Sequence, residues 1–187
     1  MHCNIKVLKS FNGDLLELKN YPNLKELEIS NSKFNKELKN LPVGLEVLKI
    51  YSHNFNQELK NLPEGLRELK LEYCYNFNQE LKNLPVSLEV LKIHSHNFNE
   101  ELNNLPDTLK VLILLNGNNF NQELNNLPEY LEILDIRLCI FYNKKLENLP
   151  LSLKRLDIGI DYLEYYPLEE VKGMIPLGCE LYIDEKN

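Results

Sequence analysis

Glycine is scarce in this chain, 7 of 187 residues, and none sits in a pattern that could cradle a phosphate. Cysteine is sparser still. Cys3, Cys74, Cys139 and Cys179 form no C-x-x-C pair, so metal-ligand spacing is missing and a disulfide would need distant segments to touch. They read as small apolar fillers in a reducing compartment. No run of about 18 apolar residues is present to span a bilayer, and no basic-then-apolar leader opens the chain. Net charge is −7, and no basic face is large enough to follow a phosphate backbone, which counts against nucleic acid. From Asp161 onward seven carboxylates face two lysines, so most of the acidity lies near the C-terminus. Cys74, the one thiol considered for a cysteine-dependent ligase or hydrolase, has no His-Asp set beside it. The expectation is therefore no catalytic residue, no metal site and no cofactor.

What is abundant is repetition. Leu-Pro or Tyr-Pro recurs at Pro22, Pro42, Pro63, Pro85, Pro106, Pro128 and Pro150. A chain that repeats itself every 20 to 22 residues predicts a solenoid of stacked units, not a single-core globule. Each unit reads Pro-x-x-Leu-x-x-Leu-x-Ile/Leu, a variable stretch, then Phe-Asn-x-x-Leu-x-Asn-Leu. The Leu-x-Ile alternation predicts a short strand with two inward side chains, as in Leu48/Ile50 and Leu91/Ile93. Identical strands one unit apart can pair only in parallel, at about 4.8 Å. Proline closes each crossover, which leaves room for 3₁₀ or extended chain and little α-helix.

Phe34, Phe55, Phe77, Phe98, Phe120 and Phe141 are expected to stack as an aromatic spine. Two asparagine columns, one after phenylalanine (from Asn35) and one before Leu-Pro (from Asn40), should satisfy turn backbone groups. Length varies before the phenylalanine, at Tyr75-Asn76 and Gly117-Asn118-Asn119. One repeat domain, 1–187, is expected: an N-terminal cap (1–22, with Cys3-Asn4-Ile5 as a degraded first strand), about seven repeats (23–160) and a C-terminal cap (161–187). Within that last cap a short helix is predicted over Tyr166–Gly173, then a strand at Leu181-Tyr182-Ile183 under an acidic tail.

At these residues the chain resembles leucine-rich-repeat proteins, and more narrowly the FNIP-type repeats of social amoebae and giant viruses of amoebae. Phe-Asn-Gln-Glu-Leu at Phe55–Leu59, Phe77–Leu81 and Phe120–Leu124 carries the likeness, together with Leu-Pro-x-x-Leu-x-x-Leu. It covers roughly residues 11–160 and implies a parallel sheet on a concave face. Many such relatives bear an N-terminal F-box that docks them onto a ubiquitin ligase. Only about ten residues precede the first Phe-Asn here, so the expected module lacks its own F-box. The implied location is cytoplasmic, the host cytoplasm if viral.

The resemblance places solvent-facing strand residues on the concave face. Val90, Val111, Ile113, Leu115 and Ile133 should form an apolar patch there. Lys49, Lys70 and Lys92 are expected as a basic ladder on one side, Asp135 and Asp157 as an acidic pair on the other, with Tyr51, Glu72, His94 and Arg137 completing the surface. The expected partner is a protein, with no nucleic acid and no membrane. Weak self-association and a ubiquitin-ligase recognition subunit are the alternatives. His53 and His96 share a slot two units apart, about 10 Å, which is too far for one metal ion to bridge.

Overall fold

Every Pro-x-x-Leu segment folds the same way because proline presets a turn. The leucine N–H donates to the proline carbonyl, for instance Leu45 to Pro42 at 3.0 Å and Leu131 to Pro128 at 3.1 Å. The chain then extends into a strand. The structure, a computed structural model, describes residues 5–184. Its strands are β1 (Val7–Phe11), β2 (Glu26–Ser30), β3 (Val47–Tyr51), β4 (Glu68–Glu72), β5 (Val90–His94), β6 (Val111–Leu115), β7 (Ile133–Ile136), β8 (Arg155–Gly159) and β9 (Glu180–Asp184). They form one nine-stranded sheet in chain order, parallel throughout. Leu48 pairs with Leu69, then Leu69 with Leu91 and Leu91 with Leu112, so the inward leucines stay in register. The crossovers between β2 and β8 hold turns and extended chain without helix. A leucine-rich-repeat solenoid results, with α1 (Leu168–Met174) as its single α-helix among the described residues.

The spine is present, with one change. Phe34, Phe55, Phe77, Phe98 and Phe120 stack at 5.9–6.0 Å between centroids, with ring planes within 15°. The next ring is Tyr142, 5.9 Å from Phe120, whereas Phe141 is 60% exposed. The expectation for Phe141 is thus corrected. Eight residues separate ring and proline in the earlier units, and counting back eight from Pro150 lands on Tyr142. Tyr162 and Tyr166 extend the row into the C-terminal elements.

The N-terminal end departs further. Cys3 and Asn4 lie outside the described residues, as does Glu185 of the acidic tail; Ile5 is not in a strand. Phe11 ends β1 opposite Ile29 instead of joining the spine. A 3₁₀ helix over Leu15–Asn20 supplies Leu15 and Leu18 to the core in its place. Asp14 starts it: its side chain accepts from the Leu16 N–H at 2.9 Å while Glu17 reaches back to the Asp14 N–H. This Asp-x-x-Glu signal stands in the sequence.

The first asparagine column is a hydrogen-bonded ladder. Oδ1 of Asn35, Asn56, Asn78 and Asn99 each accepts the backbone N–H of the next member at 2.9 Å, and Asn121 accepts from Asn143 at 3.1 Å. The second column works otherwise. Asn40, Asn61, Asn83 and Asn148 occupy the left-handed region at φ +54° to +63°, which asparagine tolerates better than most residues. Units also differ by one residue at the strand exit. Counting forward from the strand register, the extra residue falls at Tyr73 (φ +54°) directly after β4, at Asn116 (φ +52°) directly after β6, and at Leu138 beyond β7.

Candidate functional site

Strand alternation buries one set of side chains and turns the other outward. Along β3 to β8 the outward set includes Val47, Lys49 and Tyr51; Glu68, Lys70 and Glu72; Val90, Lys92 and His94; and Val111, Ile113 and Leu115. Ile133 and Asp135 follow on β7, Arg155 and Asp157 on β8. Neighbouring strands lie so close that most of these residues are half-buried, and Glu72, His94, Asp135 and Asp157 are buried outright.

Close spacing pairs the charges. Lys49 meets Glu26 at 2.8 Å, Lys70 meets Glu68 at 2.7 Å and Lys92 meets Glu72 at 2.9 Å. The Lys49 hydrogen bond holds the Glu26 carboxyl below its ordinary range, and Glu26 in turn raises Lys49. The basic ladder of Lys49, Lys70 and Lys92 is thus a row of ion pairs. The acidic pair is answered as well. Asp135 accepts from Arg137 at 2.8 and 3.0 Å, and Asp157 from Arg155 at 2.7 and 2.8 Å. Arg155 also lies over the Tyr182 ring, 4.1 Å from its centroid. Tyr182 is a neighbour the sequence reading missed; aligning Leu181 with Leu156 would have placed it beside Asp157.

What remains unpaired is apolar. Val90, Val111 and Ile133 sit opposite one another across β5, β6 and β7. Ile113 and Leu115 continue the surface along β6, whose sequence Val-Leu-Ile-Leu-Leu is apolar on both faces. Packing accounts for the inward Leu112 and Leu114; the sheet asks nothing of Ile113 and Leu115 on the open side. Ile113 lies between Lys92 and Asp135, each already bonded to an opposite charge.

His53 and His96 face the two sides of the Tyr75 ring, at 5.1 and 4.3 Å, so an aromatic plane separates them. From Phe55 onward the residue three before the spine ring is small and buried. There Ser52 and Ser95 donate to the Phe34 and Phe77 carbonyls at 2.7 and 2.8 Å. Cys74 and Cys139 fill the same slot, where burial pushes each thiol up to about 12. Burial therefore disfavours the thiolate form of both at neutral pH. Peptide mapping after a brief maleimide pulse at neutral pH should find Cys179 labelled and Cys74 and Cys139 unlabelled until denaturant is added. Rapid native labelling of Cys74 would contradict this assignment.

Among the described residues no helix is long and apolar enough to cross a membrane. The FNIP repeat family model matches residues 34–74, 55–96 and 77–116, each window opening on a spine phenylalanine. The crystal structure of CroV588, described as a novel circular LRR protein, is similar over 94% of this chain, with 30% identity and a TM-score of 0.68. The chain spans 29% of the length of that protein. No curated protein matched the chain. Repeats of this kind are in general interaction scaffolds. Spine, proline turns, parallel register and family match agree: residues 34–116 are FNIP repeats within a leucine-rich-repeat solenoid.

Proposed function

We propose that the chain is a non-enzymatic module that binds a protein partner through the concave sheet. One observation carries this reading: an apolar patch centred on β6 stays open on a face where the charges of β3 to β8 are paired. Apolar centre and polar rim are the composition of a protein contact surface. Because the surrounding charges already neutralise one another, affinity should change little with ionic strength.

The test is a pull-down with tagged protein. An Ile113→Asp, Leu115→Asp variant should fold and lose the partner, while Val43→Asp, at a turn residue 90% exposed, should retain it. Equal recovery by all three proteins would remove the patch as the site.

A second reading, self-association, draws on the sheet order. Nine parallel strands in sequence leave unlike edges at β1 and β9, and unlike edges can join head to tail. The relative described as circular is compatible with such growth. Light scattering across concentration separates the readings, since a monomer at every concentration rules out the second.

A further inference from the structure

We propose that the strand exits of β3, β4 and β5 form a second binding surface, which takes an uncharged proline-rich segment in the polyproline II conformation. The three exits read Tyr51-Ser52-His53, Tyr73-Cys74-Tyr75 and His94-Ser95-His96, an aromatic ring on either side of an inward small residue. The rings form two columns of three. In the outer column His53 and Tyr75 stack at 5.1 Å and 20°, Tyr75 and His96 at 4.3 Å and 14°. In the inner column Tyr51 to Tyr73 is 6.4 Å and Tyr73 to His94 is 4.7 Å. Edge-to-face contacts join the columns, Tyr73 to Tyr75 at 6.1 Å and Tyr75 to His94 at 5.5 Å.

The fold does not require these rings. The same two slots hold Ser30 and Ser32 after β2, and Asn116 and Asn118 at the β6 exit, with strand register intact on both sides. Tyr73 moreover holds a left-handed backbone, uncommon for an aromatic residue, and is 47% exposed. Asn116, the other left-handed exit, brings its Nδ2 within 2.6 Å of His94 Nε2 and closes the inner column.

Charge selects the occupant. Residues 51–54, 73–76 and 94–97 include no Asp, Glu, Lys or Arg, in a chain that is 26% charged. His53 and Tyr73 are exposed and Tyr51, Tyr75 and His96 half-buried, with His94 buried behind them; ring edges with O–H and N–H donors call for a neutral chain rich in acceptors. A polyproline II segment is that chain. It makes no internal hydrogen bonds, its carbonyls are free, and its prolyl rings pack against aromatic side chains. The repeats also agree: polyproline II turns once in about 9 Å, and two strand intervals span about 9.6 Å. Proline rings one turn apart would therefore meet His53 and His96 alike.

Histidine ring NMR tests this directly, because three of the four histidines lie in the array. Decaproline titrated into the full chain should shift the ring signals of His53, His94 and His96, and a glycine-serine decapeptide should not. A Tyr73→Asn, Tyr75→Asn variant carries the residues the β6 exit already uses. It should keep its circular dichroism and weaken decaproline binding at least tenfold. A Val111→Asp, Ile133→Asp variant, altered at the end of the strands away from His94, should bind decaproline unchanged, which separates this surface from the concave patch. No shift with decaproline, undiminished binding by the asparagine variant, or equal shifts with oligolysine or oligoglutamate would each overturn the proposal.

Discussion

Phe77→Ala should cost about 3–5 kcal/mol of folding stability, the range for emptying an aromatic site in a packed core. Phe77 is fully buried and stacks on Phe55 at 6.0 Å and on Phe98 at 5.9 Å, so its loss opens a gap between two coils. Two stacking contacts go with it, each contributing about 0.5–1.5 kcal/mol beyond area. Phe141→Ala is the control. The same residue type in the neighbouring slot of a later unit is 60% exposed, and its removal should stay within about 0.5 kcal/mol. Urea midpoints of the two variants decide the matter. Equal losses would mean that Phe141, not Tyr142, continues the spine.

Replacing Arg137 and Arg155 together by Met should destabilise the chain by about 3–5 kcal/mol, the cost of leaving buried charge uncompensated. Asp135 and Asp157 are 5% and 2% exposed, and these two arginines are the cations recorded beside them. Adding Asp135→Asn and Asp157→Asn in the same background should restore most of the loss, because a neutral amide needs no counter-ion. If the four-fold variant is no more stable than the double one, uncompensated charge is not the cause. The measurement is again a urea midpoint, with circular dichroism to show that β7 and β8 persist.

Sequence columns were readable wherever one position always does one job. The Leu-x-Ile alternation, the proline turns and the first asparagine ladder all recur with fixed spacing, and the structure follows them unit by unit. Reading failed where identity and spacing disagreed. At Phe141-Tyr142 the phenylalanine suggested one slot and the eight-residue interval another, and interval prevailed because the stacked coils fix it. The charged columns on the open face lie on the expected strands, except Arg137, which falls in the turn just past β7, and their pairing was missed. A column shows what recurs from unit to unit; Lys92 with Glu72 or Arg137 with Asp135 depends on which way each flexible side chain leans. The ring array escaped notice because its slots lie in the stretch of greatest variation, where three units carry aromatics and their neighbours serine or asparagine.

Strict sequential order in the sheet has a last consequence. Each coil leans only on the one before and the one after, so cooperativity passes along the molecule as through a row of linked beads. Within the described residues β1 and β9 each pair with one strand only, and fraying that starts there must consume several coils before reaching β5. β5, β6 and β7, which bear the open apolar residues, stand near the middle of that row. The surface offered to a partner therefore keeps its shape even while the ends breathe.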